Sequence, residues 1–256
     1  MDSVNFDRGA DVYDATRGFP DGVAEQVGEF IAQNANLSKT DRVLEIGIGT
    51  GRIALPLAPH VDFVAGADIS IEMMKVLLNK RRNESVFPLL ADAHDLPYAS
   101  DSFDAVLIVH VLHLVSDPVK ILRDVQRVLK PGGQLLHCFN DRSGGYINPV
   151  VKAWNDNRPK RKRGYNWRQT GDAIKETGWT QHEEVTYTYS YSETPQTLLD
   201  AVKTRAWSSL WDTSDADIAP AINAITEAVK EHYNGDFQAE MQRQSGFTMQ
   251  ILRAPA

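Results

Sequence analysis

VLEIGIGTG, residues 43–51, is the stretch of this chain that decides its fold. It begins with a short apolar run, which is typical of a strand that is covered on both faces. Gly47, Gly49 and Gly51 then alternate with other residues, and glycines leave room for a ligand to lie against the backbone. A helical pattern follows over residues 52–58. The order of strand, glycine turn and helix predicts the first unit of a nucleotide-binding βαβ fold.

Two acidic residues indicate which ligand the turn accepts. Asp68 ends a second apolar run, residues 61–67, about twenty positions after Gly47, where a βαβ fold presents a carboxylate to a ribose diol. Glu45 lies before the turn, where its charge would repel a pyrophosphate and attract an ammonium or sulfonium group. The dinucleotide fingerprint would also place its third glycine one position later than Gly51. The spacing favours a cationic nucleoside, and a tight turn without a ligand is the alternative.

The motif set resembles that of class I S-adenosylmethionine-dependent methyltransferases. The resemblance rests on residues 45–51, Asp68, Asp92-Ala93 and Pro131-Gly132-Gly133, and it covers about residues 41–140. The chain is most similar to the small-molecule branch that includes the ubiquinone and menaquinone biosynthesis methyltransferases. The resemblance implies S-adenosyl-L-methionine as cofactor, S-adenosyl-L-homocysteine as product, and methyl transfer to a small organic acceptor by in-line displacement.

The resemblance also implies a cofactor-binding role for the glycine turn and its acids. Gly47, Gly49 and Gly51 would let the methionine part of the cofactor pass over the turn. Glu45 would lie near the amino group, and Asp68 would take both ribose hydroxyls.

A further set of residues would hold the adenine. Ile69 would pack against the ring, Asp92 would accept from the amino group, and the backbone of Ala93 would meet a ring nitrogen. The alternative for Asp92 is a loop carboxylate that caps its own backbone.

His110 and His113 leave the fourth predicted strand, where the carboxyl ends of a parallel sheet face the ligand crevice. Related enzymes often show Asn-Val-Leu-His-His here, so His113 matches and His110 replaces the asparagine. The resemblance puts His110 at the methionine end of the cofactor. His113 is the candidate catalytic residue, in contact with the substrate or acting as a base, because histidine titrates near neutrality. A structural histidine bonded to a backbone carbonyl is the alternative for each.

The segment DVYDATR, residues 11–17, resembles the N-terminal segment that closes over the cofactor in this branch. Tyr13 would reach the cofactor carboxylate, and Arg17 would bind that carboxylate or an acidic substrate. A surface helix would accommodate both residues equally well.

Alternating strand and helix patterns predict a doubly wound, Rossmann-like α/β fold. The resemblance gives the sheet seven strands in the order 3-2-1-4-5-7-6. Pro88 in the third strand, residues 85–90, agrees with an edge position because proline cannot donate to a central ladder.

We expect residues 1–256 to form a single domain. Residues 1–140 form the N-terminal lid and the cofactor-binding half. Residues 141–256 form the substrate-side half, with a cap of two helices at about 194–234.

The composition of the chain argues against several classes of protein. A net charge of −7 over 256 residues argues against a nucleic-acid surface. Cys138 is the single cysteine, so no internal disulfide forms. Its apolar neighbours predict a buried strand thiol. The longest apolar stretch, residues 105–115, is too short to span a bilayer. We expect a cytoplasmic protein without a bound metal, and the sequence does not indicate its oligomeric state.

The basic run RPKRKR, residues 158–163, leaves other readings open. It is typical of a solvated loop, yet it would suit docking in a nucleic-acid or protein methyltransferase. A catalytically silent regulatory module that binds the cofactor is a further alternative, and an NAD-binding oxidoreductase is a more distant one. Trp154, Trp207 and Trp211 lie in helices expected to flank the substrate mouth, where core packing is their default role.

Overall fold

The computed structural model describes residues 6–141, 148–159 and 167–255. Seven strands within these ranges form one sheet in the order β3-β2-β1-β4-β5-β7-β6, which confirms the predicted order. The strands are β1 Arg42–Ile46, β2 Phe63–Asp68, β3 Val86–Leu90, β4 Phe103–Val109, β5 Leu129–Asp141, β6 Thr180–Glu193 and β7 Met241–Arg253. β1 to β5 run parallel, and β7 is antiparallel to both β5 and β6. Pro88 lies in the edge strand β3, as its ring requires.

Helices alternate with the strands along the described residues. They are α1 Ala10–Arg17, α2 Val23–Asn34, α3 Ala54–Leu57, α4 Ile71–Lys80, α5 Pro118–Val128, α6 Pro149–Asn157, α7 Trp167–Glu176, α8 Pro195–Lys203 and α9 Asp215–Tyr233. Ser70 caps α4 by accepting from the backbone N–H of Met73. Asp117 caps α5 in the same way, with Pro118 as the first helical residue.

The central strands of the sheet are buried on both faces. Consecutive residues of β1 point in opposite directions, so Val43 joins one apolar cluster and Leu44 the other, and both are 0% exposed. The first cluster packs α2, α3 and α4 against the sheet, and the second packs α5 and α7. Two covered faces leave only the strand ends open for a ligand.

A third apolar cluster builds the helical cap. It joins α6, α8 and α9 through buried side chains such as Trp154, Leu198 and Ile225. Asn148, the N-cap of α6, also donates to the hydroxyl of Tyr233 at the end of α9, at 2.6 Å. The cap that we expected from two helices therefore has α6 packed against it as a third.

Several element boundaries differ from those that the sequence predicts, among them the start of β5 and the end of α8. β5 begins at Leu129, which pairs with Phe103 before the register shifts across residues 131–133. α8 ends at Lys203 instead of continuing to about Trp211, because Arg205 adopts a left-handed conformation (φ 53°). Within the described ranges, no helix combines the length and the apolar composition that crossing a bilayer requires.

Candidate functional site

A cavity of about 1120 Å³ opens at the carboxyl ends of the parallel strands. All the residues predicted for the site line it except Gly51: Tyr13, Arg17, Glu45, Gly47, Gly49, Asp68, Ile69, Asp92, Ala93, His110 and His113. Pockets for one small ligand commonly measure about 300–1,000 Å³. The cavity is therefore large enough for two ligands side by side.

The glycine turn has the backbone geometry that only glycine adopts readily. Gly47, Gly49 and Gly51 have φ values of 74°, 51° and 73°. A Cβ at Gly47 would overlap the side chain of Val111, and one at Gly51 would lie 2.8 Å from Leu77 Cγ. Gly47 and Gly49 thus face the cavity, whereas Gly51 allows α4 to pack beneath the turn.

Asp68 is held in place by the backbone on either side of it. Its Oδ2 accepts from Gly49 N–H at 2.8 Å, and its Oδ1 accepts from Ser70 N–H at 2.8 Å. Burial raises the pKa of Asp68, and these hydrogen bonds oppose that rise. Each carboxylate oxygen has two lone pairs, so each can accept a second hydrogen bond from a ligand.

Glu45 is a buried carboxyl group that the protein satisfies only in part. It is 2% exposed, and its Oε2 has no hydrogen-bond partner among the described residues. Burial raises its pKa to about 8, against the charge of Arg52 and a backbone hydrogen bond from Ala54. An unpartnered buried acceptor is costly, and a cationic ligand group would satisfy it. The site therefore fits a ligand that carries an ammonium group.

Asp92 makes the contacts expected of a loop carboxylate that caps its own backbone. Its Oδ1 accepts from the backbone N–H of His94 at 2.9 Å and lies 2.6 Å from His94 Nδ1. These hydrogen bonds hold the pKa of Asp92 below its usual range. Asp92 nevertheless lines the cavity together with Ala93.

His110 lies at the cavity with an unusual backbone, at φ 56°. Its Nε2 lies 2.8 Å from Asn140 Oδ1, and its ring centroid is 6.2 Å from that of His113. Burial, followed by the charge of Arg52, lowers the pKa of His110 to about 3, so its ring is neutral.

Sequence reasoning missed Asn140 and Tyr189, which also line the cavity. Asn140 Nδ2 lies 3.3 Å from the Tyr189 hydroxyl. The position of Asn140 at the end of the fifth predicted strand was a usable signal. Tyr189 gave no such signal, because its strand reaches the site only through the antiparallel β7.

Helix α1 is fastened to the glycine turn through Asp14. Asp14 Oδ1 accepts from the hydroxyl of Thr50 at 2.6 Å, and its Oδ2 lies 2.6 Å from Lys80 Nζ. These contacts place α1 beside the cavity, where Tyr13 and Arg17 form part of the wall.

Arg17 joins α1 to the cap. Its guanidinium lies 5.5 Å from the ring centre of Phe6 and 5.4 Å from that of Tyr13, and it donates to Ser208 Oγ at 3.3 Å. The N-terminal segment thus contacts both sides of the cavity.

Arg52 is another wall residue that sequence reasoning missed. Its guanidinium lies 4.7 Å from the ring centre of Phe19 and donates to the backbone carbonyl of Arg17 at 3.2 Å. Its position directly after Gly51 gave no sign of these contacts.

The three tryptophans divide between cavity and packing. Trp154 and Trp207 line the cavity with their ring centres 5.5 Å apart, whereas Trp211 packs on Phe6 at 5.3 Å. Cys138 is 0% exposed, which confirms the predicted buried thiol.

The basic run is described only in part. Arg158 and Pro159 line the cavity, and residues 160–163 lie outside the described residues.

Comparison with known proteins identifies the central part of the chain. The family described as "Methyltransferase domain" matches residues 44–137. An uncharacterized protein of Methanocaldococcus jannaschii is 36% identical over 137 residues, which cover 54% of this chain and 62% of that protein. The demethylmenaquinone methyltransferase of Renibacterium salmoninarum is 42% identical over 95 residues, 37% of this chain and 39% of that enzyme. The alignments thus leave a large part of each relative unmatched.

Solved structures match almost the whole chain. YcgJ from Bacillus subtilis has a TM-score of 0.57 at 21% identity and covers 90% of this chain and 99% of its own. The [4+2]-cyclase SpnF has a TM-score of 0.56 at 18% identity and covers 100% and 98%. At these identities the likeness shows the fold alone, and one fold hosts several chemistries.

The family match includes the glycine turn, Asp68 and both cavity histidines. It confirms the resemblance to class I methyltransferases drawn from the motifs: residues 44–137 of the chain match a methyltransferase domain.

Proposed function

We propose that this protein transfers the methyl group of S-adenosyl-L-methionine to a small organic acceptor. The observation that carries the proposal is the buried carboxyl of Glu45 beside the glycine turn, whose Oε2 has no partner among the described residues. A ligand with an ammonium group would favour the ionised form of that carboxyl and satisfy its free oxygen, whereas a pyrophosphate offers no such partner. The bound cofactor supplies a methyl group already activated by its sulfonium.

Different residues around the turn would bind different parts of the cofactor. Asp68, oriented by two backbone N–H groups, would accept from both ribose hydroxyls. Glu45 would face the amino group, and Gly47 and Gly49 would allow the methionine part to lie close to the backbone. Gly51 has no place in this contact set.

The opposite end of the binding region would receive the adenine. Ile69 and Ala93 would pack against the ring, and both line the cavity. Asp92 could accept from the adenine amino group only beside its existing hydrogen bonds to His94.

The remaining cavity volume would hold the acceptor. Its wall includes the rings of Tyr189, Tyr191, Trp154 and Trp207, which suit an organic molecule of low polarity. The name of the Renibacterium salmoninarum relative gives demethylmenaquinone as its acceptor, which supports a small-molecule acceptor here.

Catalysis would then depend on positioning. Holding the accepting atom, methyl carbon and sulfur in line can lower the barrier by roughly 7–11 kcal/mol. His113 would serve as a base only if the accepting atom must lose a proton.

We also propose that residues 1–256 act as one domain, with the cap over the acceptor mouth. The apolar contacts of α6, α8 and α9 support the cap. A single buried cysteine suits a reducing compartment and supports a cytoplasmic location.

Calorimetric titration with S-adenosylmethionine and S-adenosylhomocysteine tests the cofactor, with NAD as the negative control. We expect Asp68→Ala to weaken the binding of S-adenosylhomocysteine about 100-fold or more, because it removes two charge-assisted hydrogen bonds. Asp172→Ala is the matched control, since Asp172 is exposed on α7 and lies outside the cavity wall. Failure of the folded wild type to bind either sulfur nucleoside would refute the proposal.

An acceptor screen with radiolabelled methyl groups would follow. Turnover of a small organic molecule supports the proposed acceptor class. Intact cofactor binding without turnover across the screen would favour a silent regulatory module, and salt-sensitive affinity for RNA would favour a nucleic-acid methyltransferase.

A further inference from the structure

Three side chains from different strands form a hydrogen-bonded chain in the cavity wall. They are His110, directly after β4, Asn140 in β5 and Tyr189 in β6. The chain thus runs along the cavity wall from the end of β4 to β6.

The backbone conformation of His110 determines which group its ring contacts. His110 N–H donates to the carbonyl of Cys138 at 3.2 Å, which is the last rung between β4 and β5. The next β5 backbone donor on that side is Asn140 N–H, and it donates to His110 Nε2 at 3.0 Å. The left-handed backbone of His110 allows the ring to take the place of a further β4 residue.

This contact determines the tautomer of the ring. Nε2 accepts from a backbone N–H, so it cannot also carry a proton. Burial keeps the pKa of His110 far below neutrality, so the neutral ring holds its proton on Nδ1.

The tautomer in turn orients the Asn140 amide. Asn140 Oδ1 lies 2.8 Å from Nε2, and Nδ2 lies 3.3 Å from the Tyr189 hydroxyl. Because Nε2 carries no proton, an oxygen facing it would be repelled. Turning the amide by 180° instead lets its N–H share the Nε2 lone pair with the Asn140 backbone N–H, while its oxygen accepts from the hydroxyl of Tyr189.

The Tyr189 hydroxyl then donates a hydrogen bond to the Asn140 oxygen. The lone pairs of the Tyr189 oxygen can accept a hydrogen bond from a ligand in the cavity. Its ring is held by edge contact with Phe19 at 6.0 Å and by Tyr187 and Tyr191, each at 6.1 Å between ring centres. A ring fixed in this way presents its oxygen in one direction.

We propose that the Tyr189 oxygen accepts a hydrogen bond from the O–H or N–H of the methyl acceptor, and that His110 and Asn140 are positioning residues that orient it. The inference rests on the proposed function. It selects acceptors that carry a proton on or beside the methylated atom.

Measuring the tautomer of His110 tests the proposed orientation of the hydrogen-bonded chain, and it needs no methyl acceptor. Long-range ¹H–¹⁵N correlation spectra of protein labelled at its seven histidines would show which nitrogen of His110 is protonated. The His110→Asn variant identifies the signal by its loss. We expect a proton on Nδ1 in the wild type at pH 7, and a proton on Nε2 would overturn the inference.

Kinetics test the proposed hydrogen bond to Tyr189, with the acceptor that the screen yields. We expect Tyr189→Phe to lower kcat/KM about tenfold, the loss of one hydrogen bond, with unchanged affinity for S-adenosylhomocysteine. Tyr187→Phe is the matched control, because Tyr187 lies on the same face of β6, bonds to Gln26 and is outside the cavity wall. Equal kcat/KM in Tyr189→Phe and wild type would overturn the inference. Absent cofactor binding would instead refute the proposed function and leave the tautomer result standing.

Discussion

Glu45 and Asp68 are two carboxyl groups beside one glycine turn, and their surroundings give them different ionisation. Asp68 accepts from two backbone N–H groups, which offset the effect of its burial. Glu45 is more deeply buried, and one of its oxygens has no partner among the described residues. A buried carboxyl with so few donors keeps its proton at neutral pH, which lowers stability because the unfolded chain is ionised there, and a cationic ligand would favour the ionised form.

We expect Glu45→Gln to stabilise the ligand-free protein at alkaline pH. The pKa of Glu45 is about 8 in the folded state, against an ordinary value of 4.5 for glutamate. Between these two values the unfolded chain releases a proton that the folded protein retains, so the free energy of unfolding falls as pH rises towards 8. The glutamine variant does not titrate. Its advantage over wild type should therefore grow by roughly 4 kcal/mol between pH 5 and pH 8.

Urea unfolding of both proteins at pH 5 and pH 8 measures this difference. Glu183→Gln is the control, because Glu183 is exposed on β6. A constant difference between Glu45→Gln and wild type across this range would show that Glu45 is ionised in the folded protein.

At the scale of elements, two glycines within helices show how closely each helix packs against its neighbours. Gly28 lies in α2, and a Cβ there would overlap the carbonyl oxygen of Pro56 in α3. Gly171 lies in α7 and has no atom within 4 Å of such a Cβ. The same residue type thus serves packing in one helix and leaves open space in another.

Replacing glycine by alanine should therefore change the free energy of unfolding in opposite directions at the two positions. We expect Gly28→Ala to lower the free energy of unfolding by about 1–3 kcal/mol, because backbone atoms must move apart. Gly171→Ala should raise it by about 0.5–1 kcal/mol, because alanine favours the helix and nothing obstructs its methyl group. Thermal and urea unfolding of both variants measure this, and a gain in stability for Gly28→Ala would contradict the close approach of α2 to α3.

At the scale of the whole molecule, the cap has an apolar cluster separate from the two that cover the sheet. Ile225 in α9 is 0% exposed within this third cluster. Among its buried members only Met241, the first residue of β7, comes from the sheet, so we expect the cap to loosen more readily than the strands. Opening of the cap would admit the acceptor while the cofactor region stays ordered.

We expect Ile225→Ala to loosen the cap alone. The lost side chain removes roughly 2–5 kcal/mol of packing energy, so amide exchange in α8 and α9 should accelerate about 30-fold or more. Exchange in β1 and β4 should stay at the wild-type rate. Hydrogen exchange read by mass spectrometry distinguishes the two regions, with the exposed Glu227→Ala in α9 as control. Equal acceleration in cap and strands would show one cooperative unit.

The sequence by itself determined the features that depend on short spacing. The buried strand before Gly47, the caps at Ser70 and Asp117, and the edge position of Pro88 follow from the preferences of neighbouring residues. The family motifs in turn supplied the strand order, the cofactor class and most of the cavity wall.

Only the tertiary structure decided which distant residues meet. Tyr189 reaches Asn140 across 49 positions because β7 inserts between β5 and β6, and that register cannot be read from either strand alone. The spacing predicts Gly51 as a ligand contact, and only the structure shows that Leu77 also packs beneath it. Local sequence sets backbone conformation over a few residues, whereas side-chain partners depend on how whole elements pack.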